Sequence, residues 1–506
     1  MLKNTIKTNI RTAALMLALL IVLPLSGSVF ADGTPQPEPV SDCVYSCSSG
    51  KSNLKSVLSD DEYSTYLILR ENAWVGISWE GDADFVYWEW TDPNGVAPQP
   101  YTVELLDPSG DVLETKEGER YWNSGTEIPE GVSGVRITML GYGRICKLKA
   151  YSGGAPSDYH PWQPTPDKTD FMIIATHPDD DALFMGAIIP TYGAERGLSG
   201  SVLYMVSRWR VRCTEALNGA WTMGLRTYPL FGGMKDVSND QREELEDEFR
   251  QTDAERIIVR NIRKVRPEVV ITHDLNGEYG HWQHIVVANA VRRAVILAAN
   301  PSYDKKSYEL YGAWQVKKLY MHLYGKDKVT VSALVPLEAF GGKTAWDVAR
   351  EAYECHRSQN RANHPCNNSG VNSLERFGLV FTTVGKDTGT NDLFEHIDAG
   401  LLTGYTPQAT EEPTPEPPET TEQPTPEPSG GTEKPTPAPS PAPTAVQTAA
   451  PTAASTPAPT DYALDGPVTP LGKLGERGLA VAAGTAAIVL LPLAALLIAN
   501  RLKRNK

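Results

Sequence analysis

The chain has 506 residues, too many for one hydrophobic core, so about two folded domains with additional segments are expected. Its 62 Asp and Glu against 47 Lys and Arg give a formal charge of −15, which argues against a nucleic-acid-binding surface.

Lys3, Lys7 and Arg11 precede an apolar run over 13–25 and a small-residue end at Ala31. That order predicts a secretory signal peptide over residues 1–31. Six cysteines in an exported chain make structural disulfides the expectation, and Cys355 and Cys366 are spaced to close a short loop. Residues 42–154 read as short β-branched or aromatic runs such as FVYWEW and YTVELLD, separated by turn signals at Asp92-Pro93-Asn94-Gly95 and Asp107-Pro108-Ser109-Gly110. This predicts a β-sandwich domain. Its pattern resembles the discoidin-like, galactose-binding-like jelly rolls attached to secreted carbohydrate-active enzymes. Trp79, Tyr87, Trp88, Trp90 and Trp122 read either as sandwich core or as a sugar-stacking face.

The Pro-rich stretch 155–168 reads as a linker. From 169 to 400, strands and helices alternate. Strands are expected over 171–175, 201–207, 267–274 and 319–324, and helices from 182 and over 211–224, 239–265, 284–298 and 345–359. Such alternation predicts an α/β fold, a Rossmann-like mostly parallel sheet with helices on both faces. Residues 406–470, rich in Pro and Thr, cannot bury a core and read as a disordered stalk. The uncharged apolar run 478–499 is long enough to span a bilayer as a helix, and the basic tail 500–506 places the C-terminus in the cytoplasm. The expected location is therefore the cell membrane, single-pass, with the folded part extracellular.

Two clusters carry the chemistry. After the first strand of the α/β region, His177, Asp179, Asp180 and Asp181 fall within five residues. One carboxylate there serves to cap a helix, but three beside a His repel each other unless a cation sits among them. After strand 267–274 comes HDLNGEYGHWQH, with three of the nine histidines of the chain. Both clusters follow strands, where ligand sites form in open parallel sheets.

Four motifs in this order carry a family resemblance. They are Thr176-His177-Pro178-Asp179-Asp180-Asp181, Arg212-Cys213-Thr214-Glu215, Tyr279-Gly280-His281-Trp282-Gln283-His284 and His356-Arg357-Ser358-Gln359. From about 169 to 384 the chain resembles the PIG-L/LmbE family of metal-dependent N-deacetylases. The resemblance implies one zinc ion held by His177, Asp180 and His284. It implies Asp179 as general base, a protonated His281 and Tyr279 as stabilisers of the oxyanion, and Arg212 as a substrate contact. Asp274 is placed with the substrate as well, where it can supply the charge that Gln283 lacks. In the family an Asp stands at that position and charges the neighbouring His. Asp181 departs from the family's Glu. The remaining His160, His322, His364 and His396 read as ordinary. The expected function is removal of acetyl groups from N-acetylated glycans of the N-acetylglucosamine type by metal-activated water. The alternatives are a non-catalytic surface glycan-binding protein and a two-His, one-carboxylate Fe(II) enzyme. Expected partners are the glycan and, through the C-terminal helix, the membrane.

Overall fold

The computed structural model describes residues 36–242, 249–362, 364–389 and 391–403. The expected signal peptide, stalk, apolar span and basic tail lie outside these. The single-pass membrane location is corrected: among the described residues no helix is long and apolar enough to cross a membrane. The longest, over 282–297, has 16 residues, short of the roughly 20 that a bilayer core requires.

The N-terminal part is all β apart from α1 (Leu54–Leu58). Its strands are β1 (Glu38–Pro39), β2 (Val44–Cys47), β3 (Leu67–Leu69), β4 (Trp74–Ser78), β5 (Phe85–Trp90), β6 (Tyr101–Leu106), β7 (Val112–Glu117), β8 (Asn123–Glu127), β9 (Gly134–Met139) and β10 (Gly143–Ser152). One antiparallel sheet runs β1-β10-β5-β8, with β3 on β10, and the other runs β2-β4-β9-β6-β7. β6 and β9 alternate buried and half-buried residues, as one-sided strands do. β5 is buried along its whole length. Trp79, Tyr87, Trp88, Trp90 and Trp122 are all at most 5 % exposed. They are core, the first of the two readings, and these five form no sugar-stacking face.

The α/β domain contains β11 (Phe171–Ala175), α2 (Asp180–Phe184), β12 (Gly200–Val206), α3 (Arg210–Thr222), β13 (Leu230–Met234), α4 (Gln251–Val265) and β14 (Val269–Thr272). These are followed by α5 (Trp282–Leu297), α6 (Lys305–Tyr311), β15 (Lys318–His322), β16 (Lys328–Thr330), α7 (Ala345–Glu354) and β17 (Arg376–Thr382). The sheet order is β13-β12-β11-β14-β15-β17-β16. The first five strands are parallel; β17 and β16 close the edge antiparallel. β11 explains its own unbroken apolar run. Phe171, Ile173 and Ala175 enter the core under α3 and α7, whereas Met172 and Ile174 enter the core under α4 and α5. A strand covered on both faces has no polar side to alternate with. Phe171, Met172, Ile173 and Ile174 each contribute about 1.5–3 kcal/mol by burial.

The sandwich is fastened to this domain by Arg210, the first residue of α3. Its guanidinium donates to Trp90 O at 2.7 Å, Trp122 O at 3.2 Å, Glu89 Oε2 at 3.0 Å and Asn123 Oδ1. Against burial, Arg210 and Lys147 hold Glu89 below the usual carboxylate range. The turn at 92–95 packs where β12 ends. Gly95 has φ +68, and a Cβ on it would meet Ser207 O at 3.0 Å, so both conformation and space call for glycine.

The stretch 155–168 is not a free linker. Trp162 is buried between Trp221 and Tyr228. His160 faces Asn218 Oδ1 at 2.9 Å and stacks on Trp221. Burial pushes His160 down to about 4, so the folded state sheds a proton that the unfolded chain keeps up to about pH 6.5. Its contribution to stability is full above about pH 6.5 and lost as the pH falls toward 4. His160→Gln should therefore shrink the drop in melting temperature between pH 7 and pH 5. An unchanged drop would remove His160 as its source.

All six cysteines are free, which corrects the expectation of disulfides. Cys355 Sγ lies 3.8 Å from Thr222 Oγ1, while Cys366 Sγ faces Ala182 O. Denatured, unreduced protein should titrate six thiols, and reductant should leave the melting temperature unchanged. A count of four would restore one bridge.

Candidate metal centre and cleft

β11 delivers the first cluster to the carboxyl edge of the sheet, and the chain turns at once into α2. Asp179 stands at the position before α2, yet its side chain caps no helix N–H. Its Oδ1 accepts from Arg212 Nη2 at 2.5 Å, and Arg212 Nη1 donates to Asp236 Oδ2 at 3.0 Å. Asp180 Oδ2 accepts from the backbone N–H of His177 at 2.6 Å. Asp181 turns away and accepts from Tyr204 OH at 2.6 Å. Burial, with Asp180 and Asp179 nearby, pushes Asp181 up to about 7 against that hydrogen bond.

The second cluster arrives from β14. Gly277, Glu278 and Gly280 all take positive φ (68°, 58° and 89°). Glycine adopts this region freely, but Glu278 is held there under strain. The tight turn sets His281 just ahead of α5 in extended conformation and His284 in its first turn.

Hydrogen bonds assign each ring nitrogen. His177 Nε2 donates to Gln283 Oε1 at 3.0 Å, and Gln283 Nε2 donates to Lys235 O, so the amide orientation is determined. His284 Nδ1 donates to Glu278 Oε2 at 2.7 Å. The lone pairs of His177 Nδ1 and His284 Nε2 are left facing each other at 3.0 Å, each 3.4 Å from Asp180 Oδ2. A tetrahedral ion with bonds of about 2.0–2.1 Å needs donors about 3.3–3.4 Å apart. The triangle fits a divalent cation. Burial disfavours charge on His177, but Asp180 and Asp236 pull its ring up to about 9; a metal ion competes with that proton for the same lone pair.

Two overlapping donor groups lie here, His177 with His281 and His284, and Asp180 with His273 and His284. His273 drops out. A backbone N–H can only donate, and that of Thr176 points at His273 Nε2 from 2.9 Å, so this nitrogen's lone pair is already used. Its Nδ1 donates to Glu278 Oε1 at 3.1 Å. Glu278 thus joins His273, His284, His322 and the Asp274 N–H at one buried carboxylate. It is the residue the sequence reading missed, and His322, read as ordinary, is one of its partners.

A cleft of about 490 Å³ opens above the triangle. His177, Asp179, Asp180, Arg212, Tyr279 and His281 line it, and so does Asp236, likewise missed. Burial, then the neighbouring His177 and His284, pushes His281 down to about 3. Asp274 is not brought to the cleft; its carboxylate faces Asn276. Gln283 orients His177 and not His281. Arg212 is engaged by two carboxylates. The outer wall comes from the loop after α7, through Gln359, Asn360, His364 and Asn372. Glu215 in α3 anchors that loop by accepting from Ser358 N and Oγ, both at 2.6 Å, which joins the second and fourth motifs.

Five parallel strands with converging His and Asp donors at their carboxyl edge define an α/β protein with a candidate metal centre. Residues 172–295 match the PIG-L family model, described as GlcNAc-PI de-N-acetylase, and the chain carries a PIG-L domain. A 1D-myo-inositol 2-acetamido-2-deoxy-alpha-D-glucopyranoside deacetylase of Geodermatophilus obscurus is 32% identical over 182 residues, which is 29% of this chain. The match spans 59% of that relative's own length. Among solved structures, N,N'-diacetylchitobiose deacetylase from Pyrococcus horikoshii is 16% identical, with a TM-score of 0.29, covering 38% of this chain and 71% of that one. The family 32 CBM from C. perfringens NanJ is 13% identical, with a TM-score of 0.20, covering 23% of this chain and 98% of that one.

Proposed function

We propose that this chain is a zinc-dependent deacetylase that releases acetate from N-acetylated sugars of the N-acetylglucosamine type. The reading is carried by the triangle of His177 Nδ1, Asp180 Oδ2 and His284 Nε2, with Asp179 lining the same cleft. The PIG-L match and the deacetylase named among the relatives support the sugar class. Two imidazoles and one carboxylate suit catalytic zinc, with a position left for water. Bound there, zinc would polarise the acetamide carbonyl and acidify water enough for attack near neutral pH.

The chain's own residues supply the rest. Arg212 holds Oδ1 of Asp179, and Asp236 holds Arg212, so Oδ2 of Asp179 is aimed to take the proton of the attacking water. The same proton is then delivered to the leaving nitrogen. His281 donates an N–H to the carbonyl oxygen as charge grows on it, and Tyr279 OH does so from the rim. Arg212 is the one Arg or Lys among the described lining residues, and it is already paired. The wall of Gln359, Asn360 and Asn372 therefore suits an uncharged sugar.

Acetate release is to be measured on zinc-loaded protein against N-acetylglucosamine, its inositol conjugate and N,N'-diacetylchitobiose. Release from at least one is expected. No release from any, by protein that holds one metal per chain, sinks the reading.

A further inference from the structure

The tryptophan that faces solvent lies outside the sandwich core. Of the eleven tryptophans, all within the described residues, Trp209 alone is exposed, at 50 %. It stands between β12 and α3, on the carboxyl-end face of the sheet that carries the cleft, three residues before Arg212. A lone exposed aromatic is unremarkable on a protein surface, but this one lines a second groove, of about 390 Å³, built by both domains. The sandwich contributes Tyr63, Tyr66, Thr91 and Asp92, and the α/β domain contributes Arg208 beside Trp209.

The groove is held rigid. Tyr63 OH lies 3.0 Å from Thr214 Oγ1, and its ring sits 4.9 Å from the Arg210 guanidinium carbon. Arg144 pairs with Asp92 at 3.2 Å and lies against the Tyr66 ring. Arg208 Nε donates to Gly233 O at 2.8 Å. The lining carries two acids, Glu62 and Asp92, and two bases, Arg208 and Arg210, so no net charge selects an ion. An aromatic face ringed by hydroxyl, carboxylate and guanidinium groups matches a pyranose, which offers a C–H face and a rim of hydroxyls.

We propose that this groove is a second carbohydrate subsite, which holds another sugar unit of an oligosaccharide whose acetylated unit occupies the cleft. The sugar class rests on the deacetylase reading; the subsite makes a glycan chain the preferred substrate over a single-sugar conjugate. Stacking on Trp209 supplies the affinity, and the docked sandwich completes the groove.

The test uses full-length, zinc-loaded protein. Calorimetry on the Asp179→Asn background compares N-acetylglucosamine with its linear tetramer. The tetramer should bind about tenfold tighter or better. Trp209→Ala in that background should erase the gain, and Trp209→Phe, which keeps a ring, should restore most of it. In the active enzyme, Trp209→Ala should lower the tetramer-to-monomer ratio of kcat/KM about tenfold, through KM. Equal affinity for monomer and tetramer overturns the subsite, as does a length-dependent gain that survives Trp209→Ala. Tetramer binding that depends on Trp209 with no acetate released from any sugar supports the subsite and ends the deacetylase reading.

Discussion

Asp179→Asn should keep its metal and lose turnover, with kcat falling about 10²–10⁴-fold. The substitution preserves size, and the amide oxygen still accepts from Arg212 Nη2, where the carboxylate accepts at 2.5 Å. That leaves Nδ2 turned toward the water position, and an amide nitrogen takes up no proton there. His177, Asp180 and His284 are untouched, so metal content should stay near one per chain. KM should change little, because Asp179 acts on the water and not on the sugar. Metal analysis alongside acetate release decides the point. Full activity in the variant removes Asp179 as the base. Loss of metal together with activity would move Asp179 into the ligand set.

Glu278→Gln should cost about 10–100-fold in metal affinity. The wild-type carboxylate accepts on both oxygens, from His284 Nδ1 at 2.7 Å on one and from His273 Nδ1 and the Asp274 N–H on the other, which His322 Nδ1 also faces at 3.2 Å. A glutamine brings one acceptor and one donor. With its NH₂ toward His284, that ring must turn its Nδ1 into an acceptor and carry its proton on Nε2, the nitrogen that faces Asp180. With its NH₂ toward His273, the donor meets two other donors in a buried site. Either arrangement leaves a polar group unsatisfied, at about 1–3 kcal/mol. Chelator competition on the folded fraction separates this role from a purely structural one. Reduced stability with unchanged metal affinity would make Glu278 a fold residue only.

How much was legible depended on how local the information was. β11 and the acids after it are contiguous, so one stretch of chain shows a buried strand, a turn and donor-type side chains together. His281 and His284 are equally local. The parallel sheet was readable for the same reason, because each βα unit repeats a short pattern. Glu278 was not readable. Its partners come from the end of β14, from α5 and from β15, and a glutamate at positive φ has no propensity signal to announce it. The partner of Gln283 was not readable, because its neighbours in sequence lie beside His281, whereas the first turn of α5 swings it toward His177. The β5 aromatics stayed open between core and surface because a strand buried on both faces looks in sequence like one with an aromatic surface. Tyr159 and Arg210 cover its outer side, and neither lies near it in the chain.

The sequence by itself determined the α/β class, the two strand-end clusters and the residue types able to hold a metal. These follow from apolar periodicity and from side-chain chemistry over a few residues. The tertiary structure alone decided which nitrogen of each histidine faces Asp180, that Arg212 is engaged by Asp179 and Asp236, and that the cysteines stay apart. It alone turned Trp209 to solvent while burying the aromatics of the sandwich. The physical reason is the same throughout: tautomer, pairing and burial are set by hydrogen-bond partners and packing surfaces that come from distant parts of the chain.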